Sequence, residues 1–266
     1  MDLPLGWHTD LAVLRLGGSG IEEYPDHLVV RTPTNPTYFW GNFVFVTDPE
    51  SVDDAAGWLA RFERYFPDAA HRSIGLIAEP ADQAWNDVTM FIERADVLVA
   101  TGEVARPRIA AGYTVRELDA AQDWTQSTRL RQAAFPEQDE FEQRVTDTRI
   151  RVTASGALTW FGAFAEDRLV AELGIALCRD GSGDIIARYQ SVLTDPAHRR
   201  RGLTSHLLGA AAGHARDRGA GRLVIIADAD TDSGRLYRAA GFAFDSVNYQ
   251  VSRVPGIVPS AIPPAG

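Results

Sequence analysis

The 266-residue sequence contains no lysine, one cysteine and two methionines. Without lysine no side-chain amine is available to form a Schiff base with a carbonyl substrate, which excludes that form of covalent catalysis. A lone Cys178 rules out an internal disulfide framework and any multi-cysteine zinc site, and it reads as a small buried hydrophobe. No apolar run approaches the ~20 residues that span a bilayer. The N-terminus has neither the basic region nor the apolar core of a signal peptide, so a cytoplasmic protein is expected. A Gly-x-Ser-x-Gly elbow is missing, and with it the usual sign of a serine hydrolase. The acids of Asp228-Ala229-Asp230-Thr231-Asp232 resemble the opening of a calcium loop, but Ser233 and Ala239 stand where that loop requires Gly and Glu. No metal is expected. The formal charge of −10 argues against general nucleic-acid binding, which needs a basic surface.

Against this acidic background one stretch concentrates arginine. An alternating β-rich run from Ile185 to Thr194 is stopped by Asp195-Pro196, passes through Arg199, Arg200, Arg201 and Gly202, and enters an apolar-periodic helix. The spacing predicts strand, tight loop, helix. In that arrangement the loop amides and the first-turn amides of Leu203, Thr204 and Ser205 face one spot, at the positive end of the helix dipole. Gly202 permits a positive φ, and the three guanidiniums add fixed charge. On physical grounds this is a candidate cradle for a pyrophosphate.

Arg199-x-x-Gly202-x-Thr204 after a strand resembles the Gln/Arg-x-x-Gly-x-Gly/Ala signature of the GCN5-related N-acetyltransferases, and Leu236-Tyr237-Arg238-Ala239-Ala240-Gly241-Phe242 resembles that family's second signature. The two occur in the family's order and spacing. Thr204 departs from the pattern by replacing a small residue. The resemblance implies acetyl-CoA as cosubstrate, bound by Val192, Leu193, Thr194, Arg199, Arg200, Arg201, Gly202, Leu203, Thr204 and Ser205. It implies an oxyanion donor among the backbone N–H groups of Val192, Leu193 and Thr194, and Tyr237 as the acid that protonates the leaving thiolate. Asp230 falls where the family often has Asn, a position implied to contact the cofactor.

Acetyl transfer to an alkylamine also requires removal of a proton from a group of pKa ~10.4. Folding back the Gly181-Ser182-Gly183 turn brings Glu172 roughly opposite Ser191, which makes Glu172 the candidate base. It could equally pair with an arginine such as Arg188. His206 and His214 fall on one side of the helix after Gly202 and read as surface or packing residues.

Along the chain, Leu11 to Leu16 is a short apolar run ending in a Gly-rich turn, and His27 to Arg31 and Tyr38 to Val46 read as strands. Thr47-Asp48-Pro49 repeats Thr194-Asp195-Pro196, and each introduces a helix, Asp53 to Phe66 in the first case. Strands at His71 to Ala78 and Val97 to Ala100, with a helix between them, complete a pattern that we read as an internal repeat. In the first copy Glu50, Asp53 and Asp54 replace the arginines, so only the second copy should bind the cofactor.

The second half reads as a strand at Tyr113 to Leu118, helices at Ala121 to Ala134 and Asp139 to Val152, and a hairpin of Ala157 to Ala165 with Leu169 to Leu177. The cofactor strand and helix follow, then a strand at Arg222 to Ala227 and two more within Phe242 to Val254. The expected fold is α/β with two acetyltransferase-like halves, each a mixed, mostly antiparallel sheet flanked by helices, the second with a V-shaped splay between two parallel strands. The expected boundaries are 1–107 for a degenerate half, 108–254 for the cofactor-binding half and 255–266 for a tail. The expected activity is transfer of acetyl from acetyl-CoA to a small amine by direct attack in a ternary complex, without nucleic acid or membrane; association as a homodimer stays open. A catalytically silent acyl-CoA-binding module and a peptide N-acetyltransferase are the alternatives.

Overall fold

The computed structural model describes residues 3–135, 139–228 and 231–255, without the side chains of 139–142. The described residues divide into two compact units, 3–96 with 246–255, and those of 97–245.

The first unit opens with helix α1 (Leu5–Leu16), followed by β1 (Gly20–Glu23), β2 (His27–Arg31) and β3 (Phe43–Val46). Helix α2 (Ala55–Tyr65), β4 (Arg72–Leu76), the short α3 (Asp82–Asn86) and the first part of β5 (Phe91–Ala100) complete its N-terminal portion. It also takes the last part of the chain's final strand, where Tyr249–Arg253 pairs antiparallel with β4. β1, β2 and β3 form an antiparallel meander, while β3 and β4 run parallel with α2 as their crossover. Successive strand residues face opposite ways, so β2 and β3 carry apolar side chains on both sides. Val44 and Val46 pack with Trp58 and Phe62 of α2, whereas Phe43 and Phe45 pack with Trp7 and Leu11 of α1.

The second unit contains the rest of β5, then β6 (Tyr113–Glu117), α4 (Ala121–Ala134), α5 (Asp139–Ala154), β7 (Leu158–Ala165), β8 (Arg168–Arg179) and β9 (Ile185–Thr194). Helix α6 (Leu203–Asp217), β10 (Arg222–Asp228), α7 (Asp232–Ala239) and the start of β11 (Ala243–Arg253) follow. Its strands are ordered β5-β10-β9-β8-β7-β6, antiparallel from β9 to β6 and parallel between β9 and β10. On one face Leu203, Leu207, Leu208 and Ala211 of α6 pack against Ala171, Leu173 and Ile175 of β8. The other face of β7 and β8 is covered by α4 and α5.

The compact division falls at 96/97, ahead of the expected 107/108, and β11 changes unit within itself. Residues 100–107 lie with the second unit because their polar groups are taken there. Arg216 donates to the carbonyls of Ala100 and Gly102, the Ala105 N–H donates to Ala240, and His206 Nδ1 bonds the Pro107 carbonyl.

Three sequence expectations are corrected. Tyr38 to Val46 is a strand only over Phe43–Val46, because the Asn42 side chain accepts the Thr32 N–H and donates to the carbonyls of Asn35 and Tyr38, holding 38–42 in turns. The apolar run at Leu11 is the end of a 12-residue helix. Phe242 to Val254 supplies one long strand, Ala243–Arg253, in place of two. Among the described residues no helix is long and apolar enough to cross a membrane.

Candidate functional site

Strands β9 and β10 pair only at Ile186–Arg188 with Arg222–Val224. Beyond that point β9 runs six residues further to Thr194 and β10 four further to Asp228 without pairing to each other, so the two strands splay. Unpaired backbone N–H and C=O groups in a sheet interior are costly unless something takes them up. The gap is therefore a ready-made slot for an extended, hydrogen-bonding ligand.

A bulge marks where β9 leaves its neighbour. Glu172 pairs with Leu193 and Gly174 with Gln190, so Leu173 stands opposite both Ser191 and Val192. Ser191 takes up the extra residue with φ +47, a left-handed conformation uncommon for a residue with a Cβ. Its hydroxyl accepts a hydrogen bond from Arg149 Nη2 at 2.9 Å.

Past Thr194 the chain makes a one-turn 3₁₀ helix at Pro196–His198, capped by Asp195 Oδ1, which accepts the Ala197 N–H. Arg200 (φ +58) and Gly202 (φ +74) then adopt left-handed conformations and lead into α6. No side chain caps α6, and its first N–H to bond back within the helix is that of His206, to the Gly202 carbonyl. The first-turn amides of Leu203, Thr204 and Ser205 are thus left to an outside acceptor, at the positive end of the dipole. Arg199, Arg200 and Arg201 are exposed around them. The Thr204 hydroxyl, the departure from the sequence pattern, lies 2.9 Å from the Thr194 hydroxyl and so is turned to the strand end. The loop is braced from behind: Arg168 donates to Asp195 and to His198 Nε2, which must accept because a guanidinium only donates, and His198 Nδ1 lies 2.9 Å from the Tyr113 hydroxyl.

Tyr237 projects from α7 and is 5% exposed. Burial pushes its phenol up to about 12, with Ser233 and Arg188 pulling the other way. The following Gly241 has φ +111, and a Cβ there would meet the Glu103 carbonyl at 2.9 Å, so both backbone angle and close approach demand glycine.

Glu172 lies on the face covered by α4 and α5 and is 0% exposed. Burial raises its carboxyl above the usual range; Arg131 and Arg149 oppose that rise and only partly offset it. Ser127 and Trp160 favour the charged form too, yet both Glu172 oxygens, Ser127 Oγ and Trp160 Nε1 stop short of hydrogen-bond geometry. Arg131 and Arg149, both on helices, are charged neighbours that act on it, while Arg188 Nη1 donates to the Tyr189 carbonyl. Pairing across the bulge sets Glu172 opposite Leu193, two residues from the expected Ser191.

The arrangement thus brings together Val192, Leu193 and Thr194 on the splayed strand with the 199–205 loop that follows it. Asp230 lies outside the described residues. Sequence reading missed Arg149 and Ser191, because neither side chain belongs to a motif and their contact depends on the bulge. Asp228, weighed in the sequence among the acids of a rejected calcium loop, is an exposed residue at the splayed end of β10 whose carboxyl is raised by desolvation. Among the described residues there is no group of three or more His, Cys, Asp and Glu able to hold a metal ion.

Residues 118–242 match the model of the acetyltransferase (GNAT) family. No curated protein matches the chain in sequence. Among solved structures the chain is similar to a GCN5-related N-acetyltransferase from Kribbella flavida, at 16% identity and TM-score 0.67, over 97% of this chain and 99% of that one. It is also similar to a GCN5-related N-acetyltransferase from Sphaerobacter thermophilus, at 16% identity and TM-score 0.61, over 96% of each chain. A tandem GNAT protein from the clavulanic acid biosynthesis pathway aligns at 12% identity and TM-score 0.55, over 90% of this chain and 84% of that one. At such identities the structural likeness speaks for the fold, and the family model speaks for the lineage. The chain thus carries, over residues 118–242, a domain of the acetyltransferase (GNAT) family.

Proposed function

We propose that the second unit transfers an acetyl group from acetyl-CoA to the amine of a small molecule, by direct attack within a ternary complex. The observation that carries this reading is the slot between β9 and β10 leading onto an uncapped, arginine-flanked helix N-terminus. The pyrophosphate binds the amides of Leu203, Thr204 and Ser205 and the guanidiniums of Arg199, Arg200 and Arg201, and the pantetheine arm lies along the edge of Val192, Leu193 and Thr194 that β10 leaves unpaired. An N–H of this segment then stabilises the oxyanion that forms as the amine attacks the thioester carbonyl. Collapse of that intermediate breaks the C–S bond, and Tyr237 protonates the departing thiolate. A buried phenol still holding its proton near pKa 12 is a suitable donor throughout the neutral range.

The attacking amine must first lose a proton. Glu172, whose carboxyl burial raises above the usual range, is the proposed acceptor; since its oxygens are sealed, the proton reaches it through an intervening hydroxyl or water. Asp228 offers a second carboxylate raised by desolvation, nearer to solvent. Comparing Glu172→Gln with Asp228→Asn assigns the role: the variant of the true base loses the acidic limb of the pH–rate profile, and the other keeps it.

The first unit is, on this reading, a worn acetyltransferase-like copy that binds no acyl-CoA. Calorimetric titration of acetyl-CoA, followed by free-thiol release across an amine panel, tests the whole. One site per chain, weakened about tenfold by Arg199→Ala/Arg201→Ala, is expected. Folded protein with no measurable binding overturns the proposal, and binding without thiol release from any amine or peptide leaves the silent binding module as the better reading.

A further inference from the structure

The bulge at Ser191 fixes which residues of β9 face the thioester, and its conformation is one that serine does not choose unaided. With φ at +47, Ser191 sits in the region natural to glycine, where a Cβ crowds the neighbouring carbonyl. Left alone, such a residue relaxes toward extended backbone. In a strand that relaxation removes the extra residue and shifts the register by one, exchanging the faces of everything beyond it.

A side chain from outside the sheet is bonded to this residue. Arg149, from α5, donates from Nη2 to Ser191 Oγ at 2.9 Å. Its guanidinium is itself held, lying over the Trp160 ring with Cζ 4.6 Å from the centroid, and it is 7% exposed. Trp160 in turn is fixed by covering Gly174, where any Cβ would meet the indole at 2.3 Å. The Glu172 carboxyl, two residues along β8, lies close enough for Arg149 to act on it electrostatically. A rigid platform of Gly174, Trp160 and Arg149 therefore reaches from β8 and β7 through α5 to the bulged residue of β9.

We propose that Arg149 is a positioning residue that holds Ser191 in its left-handed bulge and so sets the backbone N–H groups of Val192, Leu193 and Thr194 for catalysis. The inference rests on the reading of the second unit as an acetyltransferase. Its part in the reaction is exerted through Ser191.

The decisive experiment pairs Arg149→Ala and Ser191→Ala with Ser191→Gly, alone and in the Arg149→Ala background. Ser191→Ala removes only the accepting hydroxyl and leaves Arg149 on Trp160, so it guards against a simple folding defect. Loss of the tether is expected to lower kcat by roughly 100-fold, the scale of one misplaced oxyanion donor, with little change in the KM for acetyl-CoA. Glycine occupies positive φ without strain, so Ser191→Gly in the Arg149→Ala background should recover at least about tenfold of the loss. The Cα chemical shift of residue 191 reads the same event without turnover: left-handed in the wild type, moving toward extended values in Arg149→Ala and in Ser191→Ala. A kcat within about threefold of wild type in both tether variants, a loss that glycine does not rescue, or an unmoved shift at residue 191 overturns the proposal. Wild-type protein without turnover would sink the acetyltransferase reading alone, because the chemical shift still decides whether Arg149 holds the bulge.

Discussion

The chain contains the same local device twice, and the two copies end differently. In each, a strand closes on Thr-Asp-Pro, the aspartate caps a one-turn 3₁₀ helix, and a helix crosses over to a parallel strand. In the first copy β3 and β4 stay paired to the end, from Val44 with Ile74 to Val46 with Leu76, and the Ile77 N–H bonds the Val46 carbonyl to close the last gap. The helix that follows carries its own carboxylate cap, since Asp54 accepts the Gly57 N–H; nearby, Asp53 accepts that of Ala81. In the second copy β9 and β10 part after three residue pairs, and α6 begins on a glycine with no side-chain cap. Both copies obey the rule that buried backbone groups need partners. The first satisfies it internally; the second leaves the requirement open, and on the proposed reading that is where acetyl-CoA is held.

If the difference lies in who fills the helix N-terminus, supplying the second copy with its own carboxylate should abolish binding. Gly202→Asp introduces that charge at a residue type that tolerates positive φ, and Gly202→Asn is the uncharged control of the same shape. Calorimetry should show acetyl-CoA affinity falling by more than about 100-fold in the aspartate variant and by less than tenfold in the asparagine one, since a fixed carboxylate against a phosphate costs several times a lost neutral contact. Equal losses in the two would mean that backbone shape, and not charge, separates the copies.

A smaller effect follows within the second copy alone. Tyr237→Phe should lower kcat by roughly 100-fold, the low end of general-acid contributions, while acetyl-CoA binding changes little. The phenol is raised to about 12, so the protonated, donating form persists to well above neutrality and is lost only as pH climbs toward that value. The wild-type rate should therefore show no alkaline decline attributable to this group below about pH 11. A decline near pH 10 in the wild type that vanishes in Tyr237→Phe would place the phenol in a much wetter site than the one described.

Much of the cradle was legible because it is local. Asp195-Pro196, the arginine run and Gly202 each act on the backbone within a few residues, and Thr47-Asp48-Pro49 announced the repeat in the same way. What escaped was whatever depends on register. Glu172 was expected opposite Ser191 and stands opposite Leu193: the register of the hairpin turn accounts for one residue of that offset and the bulge for the other, and no composition signal marks either. The turns at 38–42 were hidden in an aromatic run, since the Asn42 side chain overrides the β propensity of Tyr38, Phe39 and Trp40 by bonding three backbone groups at once. Helix α1 went unrecognised because only its second half, Leu11 to Leu16, read as an apolar run, ending in a glycine-rich turn, while the buried Trp7 lies ahead of that run. The candidate slot itself is a relation between two strands, and only its exit, the 199–205 loop, is written contiguously.

The smallest effect tests the structural copy by itself. Asp54 caps α2 by accepting the Gly57 N–H at 3.1 Å, and α2 packs Trp58 and Phe62 into the first unit's core. Asp54→Ala removes the acceptor and should destabilise the protein by about 1 kcal/mol, the usual worth of such a cap. For a chain of this size that corresponds to a melting shift of roughly 2–4 °C, read by calorimetry at neutral pH. Acetyl-CoA affinity should stay within about twofold, because an uncapped α2 still lacks both the flanking arginines and the parted strands. If instead a second binding event appeared in the titration, removal of one carboxylate would have been enough to reopen the first copy. The zipped pairing of β3 with β4 would then count for little in keeping the ligand out. The expected outcome, a lower melting point with unchanged stoichiometry, assigns the exclusion to strand pairing and carboxylates acting together.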